Sequence, residues 1–81
     1  MLFYRHVLFA VATRAKLHAW LLSIDEDLLV FENALVLGKF INPKRLHLFD
    51  AEEADKIGMA SSDKKMILQA IAALPKTAVW P

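Results

Sequence analysis

The residues able to do chemistry in this 81-residue chain are few and spaced far apart. Its three histidines, His6, His18 and His47, fall on three different predicted elements. A zinc site needs about three or four converging ligands, usually with a closely spaced pair among them, and the chain has no such pair. Asp25-Glu26-Asp27 is a dense carboxylate run, but neighbouring residues on a strand point to opposite faces, and the EF-hand pattern is absent. We therefore predict no metal site.

Motifs for nucleophilic catalysis and phosphate binding are also missing. Ser23, Ser61 and Ser62 are the only serines, and none lies in a nucleophile-elbow motif; Ser61 and Ser62 are better explained as helix caps. The absence of cysteine excludes disulfides, thiolate metal sites and cysteine nucleophiles. The only glycines, Gly38 and Gly58, are too far apart for a loop that cradles phosphate. We predict no enzymatic activity, no catalytic residue and no cofactor.

The composition is more informative than the motifs. Hydrophobic residues make up 57% of the chain, and its mean hydropathy is +0.36. A domain of this size buries only about 60% of its unfolded surface, and ordinary globular chains are roughly 45–50% apolar. The surplus must lie on the outside, where a large apolar patch usually marks a partner surface. We expect the chain to bind another protein, or a second copy of itself as a homodimer.

The length and charge of the chain limit how many domains it can form and which partners and compartments it can have. Residues 1–81 form a single domain, and a net charge of +1 provides no global field toward nucleic acid or an anionic membrane. The apolar core of the Met1–Ala12 run, Val7–Ala12, is only six residues long. That is shorter than a secretory signal and far below the roughly 18–20 residues of a membrane span. Because the chain also lacks cysteine, we expect a cytoplasmic protein that does not use a membrane.

Two elements are predicted in the first part of the chain. Leu2–Ala12 is dense in aromatic and β-branched residues on both faces, which favours a central buried strand. A helix running from there to Leu22 is the alternative, since periodicity alone does not exclude it. Thr13 can cap a helix over Arg14–Ser23, where apolar residues recur at helical spacing.

The rest of the chain predicts further strands and a pair of helices. Strands are expected at Leu28–Phe31, Ala34–Ile41, Arg45–Phe49 and Thr77–Trp80, with a hairpin turn at Glu32-Asn33 and a bulge or close backbone approach at Gly38. Asp50 and Glu53 form a capping pair before a short helix that Gly58 ends. A second helix starts at Ser61 or Ser62 and stops before Pro75. This order predicts an α+β fold of the ferredoxin-like βαββαβ type, a mostly antiparallel sheet with helices on one face.

The same strands support a second hypothesis, a sheet that binds RNA or DNA. RNA-binding sheets stack bases on aromatic residues and hold phosphates with nearby cations. This chain places Phe3, Tyr4 and Phe9 on its first strand, and Phe40 beside Lys39, Lys44 and Arg45. The full aromatic signature of such proteins is missing, with Gly38-Lys39-Phe40 a faint echo of it, so nucleic acid is the less favoured partner.

Trp80 stands out because it lies next to Pro81 at the end of the sequence. A large aromatic in that position either closes the edge of its own domain or anchors a partner. We expect a non-catalytic interaction module, a small regulator or inhibitor that binds through an apolar sheet face. The predicted partner-binding residues are Phe3, Phe40, Lys44, Arg45 and Trp80.

Overall fold

The protein is built from helices. The structure, a computed structural model, describes residues 2–81, with side chains described from Thr13 onward. Its elements in chain order are α1 Leu2–Ile24, a 3-10 helix Glu26–Phe31, α2 Glu32–Leu37, α3 Pro43–Leu46, α4 Ala51–Lys56 and α5 Ser61–Ala72. No β-strand occurs within residues 2–81. The predicted α+β, ferredoxin-like fold and its antiparallel sheet are therefore wrong.

The first predicted strand is the beginning of a long helix. Leu2–Ala12 belongs to α1, so the strand prediction is wrong and the alternative of a helix running to Leu22 is right. Thr13 lies inside α1 rather than at its start. No glycine or proline occurs before Gly38, so nothing in this stretch breaks a helix. β-Branched and aromatic side chains lower helix propensity only slightly. The burial of apolar side chains elsewhere on the helix outweighs this small energetic cost.

The predicted hairpin is helical as well. Asp25 ends α1 in an extended conformation, and its side chain accepts a hydrogen bond from the Asp27 N–H at 2.9 Å. This cap starts the 3-10 helix where the first hairpin strand, Leu28–Phe31, was expected. The turn at Glu32-Asn33 is absent, because Glu32 joins the 3-10 helix directly to α2.

Helix α2 ends in a tight backbone motif that explains Gly38. The N–H of Phe40 bonds to the Leu35 carbonyl and that of Lys39 to Val36, while Lys39 adopts a left-handed φ of 66°. This is the Schellman arrangement, with lysine where glycine is usual. A Cβ on Gly38 would lie 2.8 Å from Cε2 of Phe40. The group that lies close to Gly38 is thus the Phe40 ring rather than another backbone segment, and a helix end replaces the strand expected over Ala34–Ile41.

The two short helices that follow are held by side-chain caps. Asn42 accepts the Arg45 N–H at 2.8 Å to start α3, which replaces the strand predicted over Arg45–Phe49. Asp50 accepts the Glu53 N–H at 2.9 Å, so the predicted capping pair before α4 is confirmed.

The ends of α4 and α5 follow the predictions more closely. Gly58 ends α4 with a left-handed φ of 80°, as expected. Helix α5 starts at Ser61, but Ala60 occupies the cap position and no side chain caps it. The strand predicted over Thr77–Trp80 is wrong, because these residues form a series of bends and an extended end.

One apolar core joins all the elements. The side chains of Leu17 and Leu21 in α1 are fully buried, and the later elements contribute further buried side chains. The remaining core residues are Leu28, Leu35, Leu46, Phe49, Ala54, Met59, Ile67 and Ile71. Among the residues whose side chains are described, no polar or charged residue is buried. Such short helices depend on this packing, since isolated helices of their length are unstable in water.

A considerable part of the apolar surplus does lie outside. Five large hydrophobic side chains are exposed by 50–84% of their surface: Leu22, Val30, Leu37, Leu48 and Val79. Within the described part of the chain, no helix combines the length and the apolar character that crossing a membrane requires.

Candidate functional site

The segment that follows α5 is fastened to the domain by three hydrogen bonds. The ring Nε2–H of His47 donates to the carbonyl oxygen of Leu74 at 2.9 Å. The backbone N–H of Lys44 donates to Thr77 at 2.8 Å, and the indole Nε1–H of Trp80 donates to Ile41 at 3.0 Å. These bonds place residues 74–81 against α3 and the loop before it. Trp80 is therefore held in place although it lies in no strand.

The Trp80 ring packs against a second tryptophan. Its centroid lies 5.7 Å from that of Trp20, with the ring planes inclined by 49°. Trp20 is placed by α1, next to the core residues Leu17 and Leu21, and both indoles are half-buried. Tilted aromatic pairs of this kind contribute about 0.5–1.5 kcal/mol beyond their area burial. The pair closes the domain on one side and leaves part of each ring accessible.

An open cleft lies beside this tryptophan pair, which we call the tryptophan cleft. Its volume is about 300 Å³, and it is lined by Lys16, Ala19, Trp20, Leu74, Trp80 and Pro81. Lys16 is the only lining residue with a charged side chain. A small number of polar groups in an apolar concave surface is typical of ligand sites, whose volumes start at about 300 Å³. A volume of this size is large enough to hold one or two apolar side chains.

Exposed cations lie around the C-terminal segment. The Nε of Arg45 donates to the carbonyl oxygen of Lys39 at 3.2 Å, and Lys44 is bonded to Thr77, the neighbour of Lys76. Lys16 adds a cation from within the cleft. The ion pairs among the described side chains use the cations Arg14, Lys56 and Lys64, and a further contact joins the His18 ring to Glu32. The cations near the tryptophan cleft thus face solvent without a carboxylate partner in the described part of the chain.

The sequence-predicted site residues separate into three groups. Trp80, Lys44 and Arg45, together with Lys39 of the alternative hypothesis, lie around the C-terminal segment. Phe40 is directed inward instead, and its ring meets that of the core residue Phe49 edge-on at 5.2 Å. Three aromatic residues of the first predicted strand, Phe3, Tyr4 and Phe9, lie outside the described side chains, as does His6.

Sequence reasoning missed the other half of the cleft. Trp20 was assigned to the core face of a helix, and its helical spacing with Leu17 and Leu21 gives no sign of a second contact. The only available signal was composition, since Trp20 and Trp80 are the two tryptophans of the chain. Lys16 lies one helical turn before Trp20 and therefore on the same face of α1. Its position at the cleft can be inferred once the position of Trp20 is known.

A separate polar cluster joins α1 to α2. Glu32 accepts hydrogen bonds from Arg14 Nε at 3.0 Å and from His18 Nδ1 at 2.5 Å, and Arg14 also bonds to the side chain of Asn33. Burial raises the pKa of the Glu32 carboxyl, but the hydrogen bonds and charges of His18 and Arg14 outweigh it and bring the pKa below 4.5. The cluster tethers two helices.

The two histidines with described side chains, His18 and His47, do not meet. His18 contacts Glu32 and His47 contacts Leu74, and the described residues contain no group of three or more potential metal ligands.

The Glu32 cluster predicts a pH dependence of stability. A lowered folded-state pKa stabilises the fold above the unfolded value of 4.5, and this contribution is lost as the pH falls through the folded pKa. We expect Glu32→Gln to be less stable than the wild type at neutral pH and to approach it as the pH falls below 4.5 and through the folded-state pKa. Urea denaturation across this range measures the difference. Glu52→Gln, an exposed carboxylate in no ion pair, is the control; a Glu32→Gln difference that stays constant with pH would contradict the prediction.

Comparison with protein-family models, curated proteins and solved structures finds nothing that matches this chain.

Proposed function

We propose that this protein is a non-catalytic interaction module, a small regulator or inhibitor that binds another protein through the tryptophan cleft. The observation that carries the proposal is the cleft itself. It is an open, mostly apolar cavity of about 300 Å³ beside two packed indoles that the fold holds in place. Tryptophan is enriched among the residues that dominate protein–protein binding energy, and prearranged side chains lose little entropy on binding.

The lining of the cleft supports a protein partner rather than a reaction. Lys16 is the only charged side chain in its lining, and no second titratable side chain lines the cleft to exchange a proton with it. Apolar walls without a set of polar groups favour an inserted hydrophobic side chain. The exposed Val79 lies next to Trp80 and extends the apolar surface beyond the cleft. The binding face is therefore helical and aromatic, and it takes the place of the predicted sheet face.

A second copy of the chain is one possible occupant. The apolar surplus predicts self-association, and exposed residues such as Leu37 and Leu48 provide surface for it. A homodimer would have about twice the mass of the 9.2 kDa chain in light scattering coupled to size exclusion. If Ala19→Gln abolishes this self-association, the second copy is identified as the occupant of the cleft.

Single-stranded nucleic acid is the second candidate partner. The observation that favours it is the group of cations near Trp80, which includes Lys39, Lys44 and Arg45. Proteins that bind single strands combine such cations with aromatic platforms. The two indoles pack against each other, however, so a base inserted between them would have to displace that contact.

Selection from a displayed peptide library tests the proposal. Ala19 lines the cleft on the exposed side of α1, so Ala19→Gln fills part of it without removing core packing. We expect selected peptides to bind the wild type and to lose at least about tenfold in affinity, or about 1.4 kcal/mol, with Ala19→Gln. Fluorescence is a direct readout, because the only two tryptophans are those of the cleft.

Ala51→Gln is the matched control, since it makes the same exchange at an exposed position of α4, which contributes no residue to the lining of the cleft. We expect its affinity to stay within about twofold of the wild type. If no peptide is enriched, or if Ala19→Gln binds as well as Ala51→Gln, the cleft is not a protein-binding site.

A further inference from the structure

We infer that the partner segment carries acidic residues next to its apolar anchor, an inference that rests on the proposed function. The anchor would enter the tryptophan cleft, and its carboxylates would meet the surrounding cations. Two features of the structure support this: the distribution of ion pairs along α1, and the group of cations around the C-terminal segment.

Helix α1 carries both neutralised and free cations, on different faces. Arg14 and His18 are one turn apart and both contact Glu32. Lys16 and Trp20 are also one turn apart, but they line the tryptophan cleft. The fold therefore pairs the Arg14 face of the helix with Glu32, whereas Lys16 forms no ion pair with the described residues.

The cations around the C-terminal segment are also uncompensated. Lys44, Arg45 and Lys76 are exposed, and none takes part in an ion pair with the described side chains. The carboxylates that do pair lie elsewhere: Glu53 with Lys56 on α4, and Asp55 with Lys64 across α4 and α5. None of the residues lining the cleft has a carboxylate side chain. A cluster of like charges attracts ligands of opposite sign and is most favourable once a partner neutralises it.

Acidic protein segments fit these features better than nucleic acid. The net charge of +1 and pI near 8.1 lie below the strongly basic values typical of nucleic-acid-binding domains. The cleft offers apolar walls for an aliphatic or aromatic side chain, with Lys16 in its lining and Lys44 on the backbone that holds Thr77, in the same segment as Trp80. An apolar anchor with flanking carboxylates uses both the walls and these cations.

Labelled peptides that differ only in charge test the inference. Each has a Leu-Phe-Leu centre, flanked by glutamate in one peptide, by glutamine in a second and by lysine in a third. We expect the glutamate peptide to bind about tenfold tighter than the glutamine peptide at about 50 mM salt, and only about threefold tighter at about 500 mM. Fluorescence anisotropy gives the three dissociation constants.

Charge reversal at Lys44 locates the effect. The side chain of Lys44 is exposed, and its backbone bond to Thr77 does not depend on the side chain. We expect Lys44→Glu to remove most of the preference for the glutamate peptide. Lys65→Glu is the matched control, because it changes the net charge equally at an exposed, unpaired position of α5 and should retain the preference.

The other outcomes are distinct. Equal binding of the glutamate and glutamine peptides, both weakened by Ala19→Gln, overturns the acidic preference and leaves the cleft as a binding site. A preference retained by Lys44→Glu also overturns the inference, since it assigns the charge effect to another surface. A labelled oligouridine that binds tighter than every peptide, with a steep salt dependence, identifies nucleic acid as the partner instead. If no peptide binds, the inference fails. The library selection then tests separately whether the cleft is a protein-binding site.

Discussion

Leu35→Ala is expected to lower the free energy of unfolding by about 3–4 kcal/mol, whereas Leu37→Ala is expected to change it by less than about 0.5 kcal/mol. Both leucines belong to α2. The side chain of Leu35 is fully buried in the core, and that of Leu37 is 84% exposed. Removing the first leaves a cavity, while removing the second exposes little new surface. The two substitutions are chemically identical, so each is the control for the other.

The comparison also distinguishes a helix from a strand at this position. Residues two apart lie on the same face of a strand, so a strand over Ala34–Ile41 would bury or expose Leu35 and Leu37 together. In a helix, the same two residues point in nearly opposite directions. Urea denaturation followed by circular dichroism measures both variants. Similar losses of stability for the two would contradict the helical assignment of α2.

Features encoded within a few residues were predictable from the sequence. The Asp50 cap reaches an N–H three residues away, and Gly58 supplies a left-handed conformation at the next helix end. The helical spacing in the second half of α1 and in α5 was also correct. Each of these depends on local side-chain and backbone chemistry, which the sequence contains in full.

Short apolar runs were misread because their composition does not fix their structure. Valine and phenylalanine in Leu28–Phe31 favour a strand locally, but a run this short is ambiguous between strand and helix. A helical repeat passes through Leu28, Phe31 and Leu35, across the position of the supposed hairpin turn. The structure follows that repeat, with the two leucines buried and Phe31 packed against the core. Packing in the whole domain decided between two locally acceptable conformations.

The tryptophan cleft was predictable only in part. Lys39, Lys44 and Arg45 are close in sequence, so their proximity in space is no surprise, and Trp80 was conspicuous. The contact between Trp80 and Trp20 joins two residues that are far apart in the sequence, and no local sequence pattern encodes it. It depends on the path of residues 74–81, which the bonds from His47, Lys44 and Trp80 determine.

Trp80→Ala is the substitution expected to affect stability and binding together. A fully buried tryptophan truncated to alanine costs roughly 3–5 kcal/mol, and because Trp80 is half-buried we expect about 2–3 kcal/mol. That corresponds to a melting temperature lower by roughly 10–20 °C for a domain of this size. One wall of the cleft is removed as well, so binding of any peptide selected on the wild type should be lost. Val79→Ala, which alters an exposed neighbour, should leave the melting temperature within a few degrees.

Trp80→Phe separates the two roles of this side chain. Phenylalanine keeps an aromatic ring beside Trp20 but cannot donate to the carbonyl oxygen of Ile41. Losing that hydrogen bond should cost about 1 kcal/mol, a smaller loss than in Trp80→Ala, while part of the peptide affinity remains. Thermal melting and peptide titration of Trp80→Ala, Trp80→Phe and Val79→Ala give the full comparison, with the fluorescence of Trp20 as an internal reporter in both Trp80 variants. If Trp80→Ala melts and binds like the wild type, residues 74–81 do not hold Trp80 against α1, and the cleft loses the wall on which its proposed role depends.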